Sequence, residues 1–164
     1  MKLESLNALF VEQLEDLYSA ENQILEALPK MIEKASSPAL KQGLSEHLEQ
    51  TRNQVKRLDR IFDQIPNADR EGEKCKGMKG LITEGEEILK AKGDDDTRDA
   101  GIIAAAQRVE HYEIAGYGTV RTYAQLLNRP EWARLLQETL DEEAAADKKL
   151  TALSERINVE AKAA

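Results

Sequence analysis

Apolar residues recur at three and four spacing over positions 3–35, at Leu6, Leu9, Phe10, Leu14, Leu17, Ile24, Leu28 and Ile32. The pattern predicts an amphipathic helix of about 30 residues, roughly 45 Å at 1.5 Å per residue. Ser36-Ser37-Pro38 ends it and supplies the cap and first-turn proline of a second helix, expected over about 38–65 with Pro66 as its stop. Its stripe is Leu40, Leu44, His47, Thr51, Val55, Leu58, Ile61 and Ile65. A shorter segment, about 74–92, carries one apolar side through Met78, Leu81, Ile82 and Leu89. Gly93 followed by Asp94, Asp95, Asp96 and Thr97 reads as a helix stop and then a helix start, with acids placed at the new N-terminus.

The next long helix, about 95–127, has the stripe Ile103, Ala106, Glu110, Glu113, Tyr117, Val120, Ala124 and Leu127. Asn128-Arg129-Pro130 looks like a repeat of the first turn's chemistry. The last helix, about 130–159, buries Trp132, Leu136, Leu140, Glu143, Leu150, Leu153 and Ile157. Two long hairpins joined by a crossover of some thirty residues predict an all-α four-helix bundle forming a single domain over 1–164, with a short fifth helix in the crossover. Shifting the second half back by 92 positions places Pro130 on Pro38, Leu136 on Leu44, Glu138 on Glu46, Leu140 on Leu48, Leu150 on Leu58, Glu113 on Glu21 and Glu143 on Thr51. The shift keeps both turns and the polar stripe positions in one register.

Those polar positions are the chemistry of the chain. Glu21, Glu110, Glu113 and Glu143, with Asp147 one turn beyond Glu143, sit in stripes that should be apolar, and no Lys or Arg shares the stripes with them. Counted from the two bends, Glu21, Thr51, Glu113 and Glu143 each lie about 15 residues away, roughly 22 Å along the helices, so they meet in one layer. His47 is one turn from Thr51, and Glu110 one turn from Glu113. Like charges buried together must be neutralised by protons or by a cation. The competing explanation is that the acids flank a solvated face, since 31 acidic residues on helices will sometimes fall in a stripe. A buried ion-pair network is disfavoured by the missing basic residues.

Carboxylates with an imidazole suit iron or manganese better than zinc, and two adjacent divalent ions would neutralise four charges together. Glu21 and Glu110 or Glu113 are then terminal ligands, Glu143 the bridging one and His47 a terminal imidazole. Asp147 is a further ligand or an acceptor behind the ligands. Tyr18 and Tyr112 read as packing residues, with a hydrogen bond to a carboxylate as the alternative, Gly116 and Gly118 as points of close helix approach or of a local bulge, and Cys75 as a packed thiol outside the bundle register.

The net charge of -8, with 33% charged residues, argues against a phosphate-backbone partner, for which a basic patch is needed. No apolar run approaches the roughly 20 residues of a membrane helix. A single cysteine and no signal-peptide layout give the expectation of a cytoplasmic protein.

The segments LYSAENQILEALPKM, SEHLEQT, CKGMKGLITEGEEIL, AAAQRVEHYEIAGYGTVRTYA and LLQETLDEEAAADKKL resemble the bacterial YciF/YciE family of ferritin-like proteins, VEHYEIAGYGT being the most specific piece. The resemblance implies a rubrerythrin-like bundle that forms a homodimer, binds a dinuclear metal centre and serves bacterial stress responses. If the protein is an enzyme, redox turnover of peroxide or oxygen at the metals is the reaction class. The wider ferritin-like pattern has one Glu on two helices and Glu-x-x-His on the other two. Here Leu44 and Gln50 flank His47 at that spacing, and Ala146 follows Glu143. A metal-free interaction or structural module and an iron-storage cage are the alternatives, the cage lacking a fifth helix after the fourth.

Overall fold

Ser5 opens the first helix by accepting the N–H of Ala8 at 3.1 Å, a cap that satisfies one of the orphan donors of the first turn. Helix α1 (Leu6–Lys34) then runs without a break through Pro29 to Ala35, whose extended backbone turns the chain. The computed structural model describes residues 4–66, 68–70 and 72–163. Buried Asp99, distant in sequence, accepts the N–H groups of Ser36 at 2.8 Å and Ser37 at 2.6 Å. Ser37 caps α2 (Pro38–Phe62), with Pro38 in its first turn as the spacing predicts.

Helix α2 ends earlier than expected, at Phe62 rather than at Pro66. Asp63, Gln64 and Ile65 follow in a tightened turn in which the N–H groups of Gln64 and Ile65 reach back three residues, to Ile61 and Phe62. The residue before a proline is pushed out of the helical region, so the disturbance from Pro66 travels upstream.

The crossover carries α3 (Lys76–Lys90), capped by the Cys75 thiol, which accepts the N–H of Met78 at 3.3 Å. Cys75 also ties the crossover to α1: its N–H donates to Ser19 Oγ at 2.9 Å, and its carbonyl accepts from Gln23 Nε2 at 3.1 Å. At the other end Gly93 is not the stop. The helix finishes at Lys90 with Ala91 extended, and among the described residues no glycine has a positive φ. Asp94 caps α4 (Asp95–Leu126) by accepting from Thr97 N–H at 2.7 Å, with Asp95 and Asp96 in its first turn.

The second hairpin turn departs from the first. Asn128 adopts φ 55°, and the N–H of Arg129 reaches the carbonyl of Ala124 at 2.9 Å. This is a left-handed closure of the kind that Asn tolerates, whereas the first turn uses only extended backbone before Ser37. Helix α5 (Pro130–Ala163) completes the fold.

Helices α1, α2, α5 and α4 pack in that order around a ring, and α3 lies across α1 and α4. Gly116 allows the α1–α4 approach: a Cβ there would stand 2.7 Å from Leu17 Cδ2, whereas one on Gly118 would meet nothing within 4 Å. The interior falls into two apolar clusters. One holds Phe10, Leu14, Leu58, Val120 and Trp132, with the Phe10 and Trp132 rings stacked at 5.7 Å. The other holds Ile24, Leu28, Leu44, Met78, Ile103 and Leu150. Between them lies a layer that is polar. No described helix is long and apolar enough to cross a membrane.

Candidate metal centre

The intervening layer is built by the same helical periodicity that builds the core. Glu21 from α1, His47, Thr51 and Gln54 from α2, Glu110 and Glu113 from α4 and Glu143 from α5 are each at most 5% exposed. Each stands one or two turns from apolar residues of the same stripe, so the helix that buries its leucines buries these too. One ligand atom from each of His47, Glu110, Glu113 and Glu143 lies within 4.8 Å of all the others. Glu110 and Glu113, alternatives in the sequence, both contribute an atom to this group.

Hydrogen bonds fill only part of what these groups can accept. Glu21 Oε1 accepts the Tyr117 hydroxyl, and Glu143 Oε1 accepts Gln54 Nε2. Glu21 Oε2, Glu110 Oε2, both oxygens of Glu113, Glu143 Oε2 and both ring nitrogens of His47 are buried without a hydrogen-bond partner. The nearest approach to a pairing is His47 Nε2 at 3.3 Å from Glu110 Oε1. An unsatisfied buried polar group costs about 1–3 kcal/mol, more when charged, so lone pairs gathered at one spot call for a shared cation or for protons.

The electrostatics agree. Burial pushes the carboxyls of Glu21, Glu110 and Glu113 well above the usual carboxylate range, and Glu143 raises all three further. Glu113 also feels Glu21 and Glu110. The Tyr117 phenol is raised by burial and by Glu21, so it stays a hydrogen-bond donor. Among the described residues no Lys or Arg pairs with the four clustered groups. Arg57, half-buried beside Gln54, is spent on Glu142 through two hydrogen bonds of 2.7 Å. An ion-pair network is therefore not what neutralises the layer.

Glu21 adjoins the cluster on the Tyr117 side without joining the four convergent ligand atoms. Asp147 is not brought in. Its carboxylate accepts from Gln107 Nε2 at 3.0 Å and lies 3.4 Å from the imidazole of His111, which is largely exposed.

Gln54 and Tyr117 escaped the sequence reading as site residues. For Gln54 a signal existed: it follows Thr51 by three residues, the spacing of Glu-x-x-His, so α2 carries Thr-x-x-Gln there. Thr51 donates to the His47 carbonyl at 3.0 Å, and the imidazole comes from one turn earlier. Tyr112 is more than packing, since its hydroxyl donates to Asp16 at 2.6 Å and stands 3.0 Å from the buried Cys75 thiol. Tyr18 likewise donates to Asp59 at 3.2 Å.

Three carboxylates and an imidazole, buried with free lone pairs, could hold a metal ion, and an oxygen-rich set with one nitrogen suits iron or manganese.

Comparison with known proteins gives a consistent picture. Residues 5–163 match the family profile DUF892, a domain of unknown function. Protein YciF of Escherichia coli K12 is 43% identical over 154 residues, covering 94% of this chain and 93% of that protein. The crystal structure of the E. coli stress protein YciF superimposes with a TM-score of 0.90, at 42% identity over 94% of this chain and 97% of that one. YcfI of Rhodopseudomonas palustris matches with a TM-score of 0.87 at 43% identity, over 92% and 95% of the two chains.

Proposed function

The chain belongs to the DUF892 family, and from that premise we propose that it is a ferritin-like metalloprotein of the bacterial stress response. Glu21, His47, Glu110, Glu113 and Glu143 would hold two adjacent divalent ions, iron or manganese. The observation that carries this reading is the set of buried, partnerless lone pairs on four side chains whose ligand atoms lie within 4.8 Å of one another. The likeness to the stress protein YciF supports the physiological setting.

When bound, such ions supply a redox couple open to peroxide or oxygen. The chain's own residues set the frame around them. Tyr117 anchors one oxygen of Glu21 and leaves the other free. Gln54 does the same for Glu143. The two apolar clusters flank the carboxylates on either side, and the Arg57–Glu142 pair ties α2 to α5 beside Gln54.

Reconstitution of chelated protein with Fe(II) or Mn(II), followed by metal analysis, tests the reading. About two ions per chain are expected, falling on Glu113→Ala and on Glu143→Ala. Less than one ion per chain, unchanged by either substitution, would leave a structural or interaction module instead. The proposed assembly is a homodimer; a light-scattering mass near twice the 18.4 kDa of one chain would separate it from a storage cage.

A further inference from the structure

A cavity of about 30 Å³ lies between α1, α3 and α4, walled by Ile24, Leu81, Ile82, Ala105, Ala106 and Val109. His47 and Glu110, both buried, form its inner end, and the Lys30–Glu86 ion pair, at 2.8 Å, stands at its mouth. A second cleft reaches the same two residues from the opposite side. It is about 100 Å³, runs between α2 and α5, and is lined by Glu46, Gln50 and Lys149 among others. The two approaches differ in chemistry: a hydrated species finds hydrogen-bond partners along the second, and in the first only at its two ends.

Size and lining together decide what the first cavity takes. A site holds one water when it offers roughly 10–15 Å³ to the centre of a water-sized probe, and the water needs two to four polar partners. Here the space is larger than that, yet the walls along its length are aliphatic, and polar groups stand only at its two ends, His47 and Glu110 inside and the Lys30–Glu86 pair at the mouth. The aliphatic stretch between those ends offers a water no partner, and apolar space of this kind accepts small apolar guests. Peroxide, which would forfeit its hydrogen bonds along these walls, is disfavoured.

We propose that this cavity is a binding site for a single small apolar molecule of the size and class of dioxygen, held against the His47 and Glu110 end of the centre. That the natural guest is dioxygen, rather than another apolar molecule of that size, rests on the metal-centre reading. The presence of the binding site does not. Gly85 forms part of the α3 wall, where a Cβ would stand 3.5 Å from the Ala105 methyl, so a longer side chain at that position grows into the cavity from a partly exposed helix.

The test is methyl NMR of the full chain, metal-free and metal-loaded, under increasing xenon pressure. Expected are saturable shifts at the methyls of Ile82, Ala105, Ala106 and Val109, with none at Val120 in the opposite cluster. The shifts should vanish in Gly85→Leu, while metal content stays that of the wild type. Ala106→Val, a second filling variant from α4, should abolish them as well. The absence of saturable shifts in the wild type, or their survival in both folded variants, overturns the proposal. Xenon shifts in a protein that binds no metal would uphold the cavity and remove dioxygen as its guest.

Discussion

Metal-free protein should become less stable as pH rises from 5 to 8. Glu21, Glu110 and Glu113 are raised above the ordinary carboxylate pKa of about 4.3 by burial and by the neighbouring Glu143. Between that value and their folded pKa values the native chain keeps protons that the unfolded chain has released. Unfolding free energy then falls with pH by about 1.4 kcal/mol per pH unit for each proton kept. The contribution is fully present below the unfolded pKa and is lost as pH rises through the folded one. Three protons held together would give an upper slope of about 4 kcal/mol per unit.

Divalent ions reverse the trend, because ligation expels those protons and is favoured by their scarcity. Urea unfolding of chelated protein at several pH values, with and without Mn(II), measures both effects. The chain's net negative charge adds a background of the same sign, so the decisive comparison is with Glu113→Gln. That variant removes one titrating site and should flatten the metal-free slope by up to about 1.4 kcal/mol per unit. Glu73→Gln, which changes net charge equally at an exposed position, should not. A metal-free slope that is flat or positive, or one that Glu113→Gln and Glu73→Gln alter alike, would refute the argument.

Gly116→Ala and Gly118→Ala form a matched pair. Each gains about 1 kcal/mol of helix propensity, but only the first forces a methyl against buried Leu17, an overpacking cost of about 1–3 kcal/mol. Gly118→Ala should raise the melting temperature by about 2–4 °C and Gly116→Ala should lower it; equal shifts would sink the close-approach account. Asp99→Ala removes a charged acceptor from two backbone N–H groups in the first turn and should cost about 2 kcal/mol in urea unfolding. A change under about 0.5 kcal/mol would mean that water replaces it without loss.

The bundle and its polar layer were legible because both follow from counting. Ser37-Pro38 and Asp94 fix where helices begin, and a constant rise per residue carries Glu21, Glu113 and Glu143 to one height. What counting does not convey is which neutral residues answer the charges. Gln54 and Tyr117 enter the site through side-chain reach, and a hydroxyl or amide in a stripe looks like packing until its partner is known. Asp147 shows the converse. Its spacing from Glu143 is right, but at the edge of the layer Gln107 and His111 on α4 supply nearer partners. The early end of α2 and the left-handed Asn128 depend on backbone detail that periodicity does not record.

The 92-residue shift that pairs the hairpins also explains why the layer is lopsided. It sets Glu113 on Glu21, but Glu143 on Thr51, Glu110 on Tyr18 and Ala146 on Gln54. The second half thus contributes three carboxylates where the first contributes one, and the only imidazole in the layer lies on α2, opposite Thr139 in the shifted register. His47, Glu110, Glu113 and Glu143 each bring a ligand atom within 4.8 Å of the others. On the Glu21 side the neutral neighbours Tyr117 and Gln54 are already engaged as donors to the carboxylates, so they hold ligands in place rather than adding to them. If a pair of ions is held in this layer, as proposed, the position nearest His47 would have the fuller ligand set and would fill first. Two fully matched hairpins would offer two equal positions; with Thr51 standing where Glu143 falls in the shifted register, a second position would depend on sharing Glu113 and Glu143.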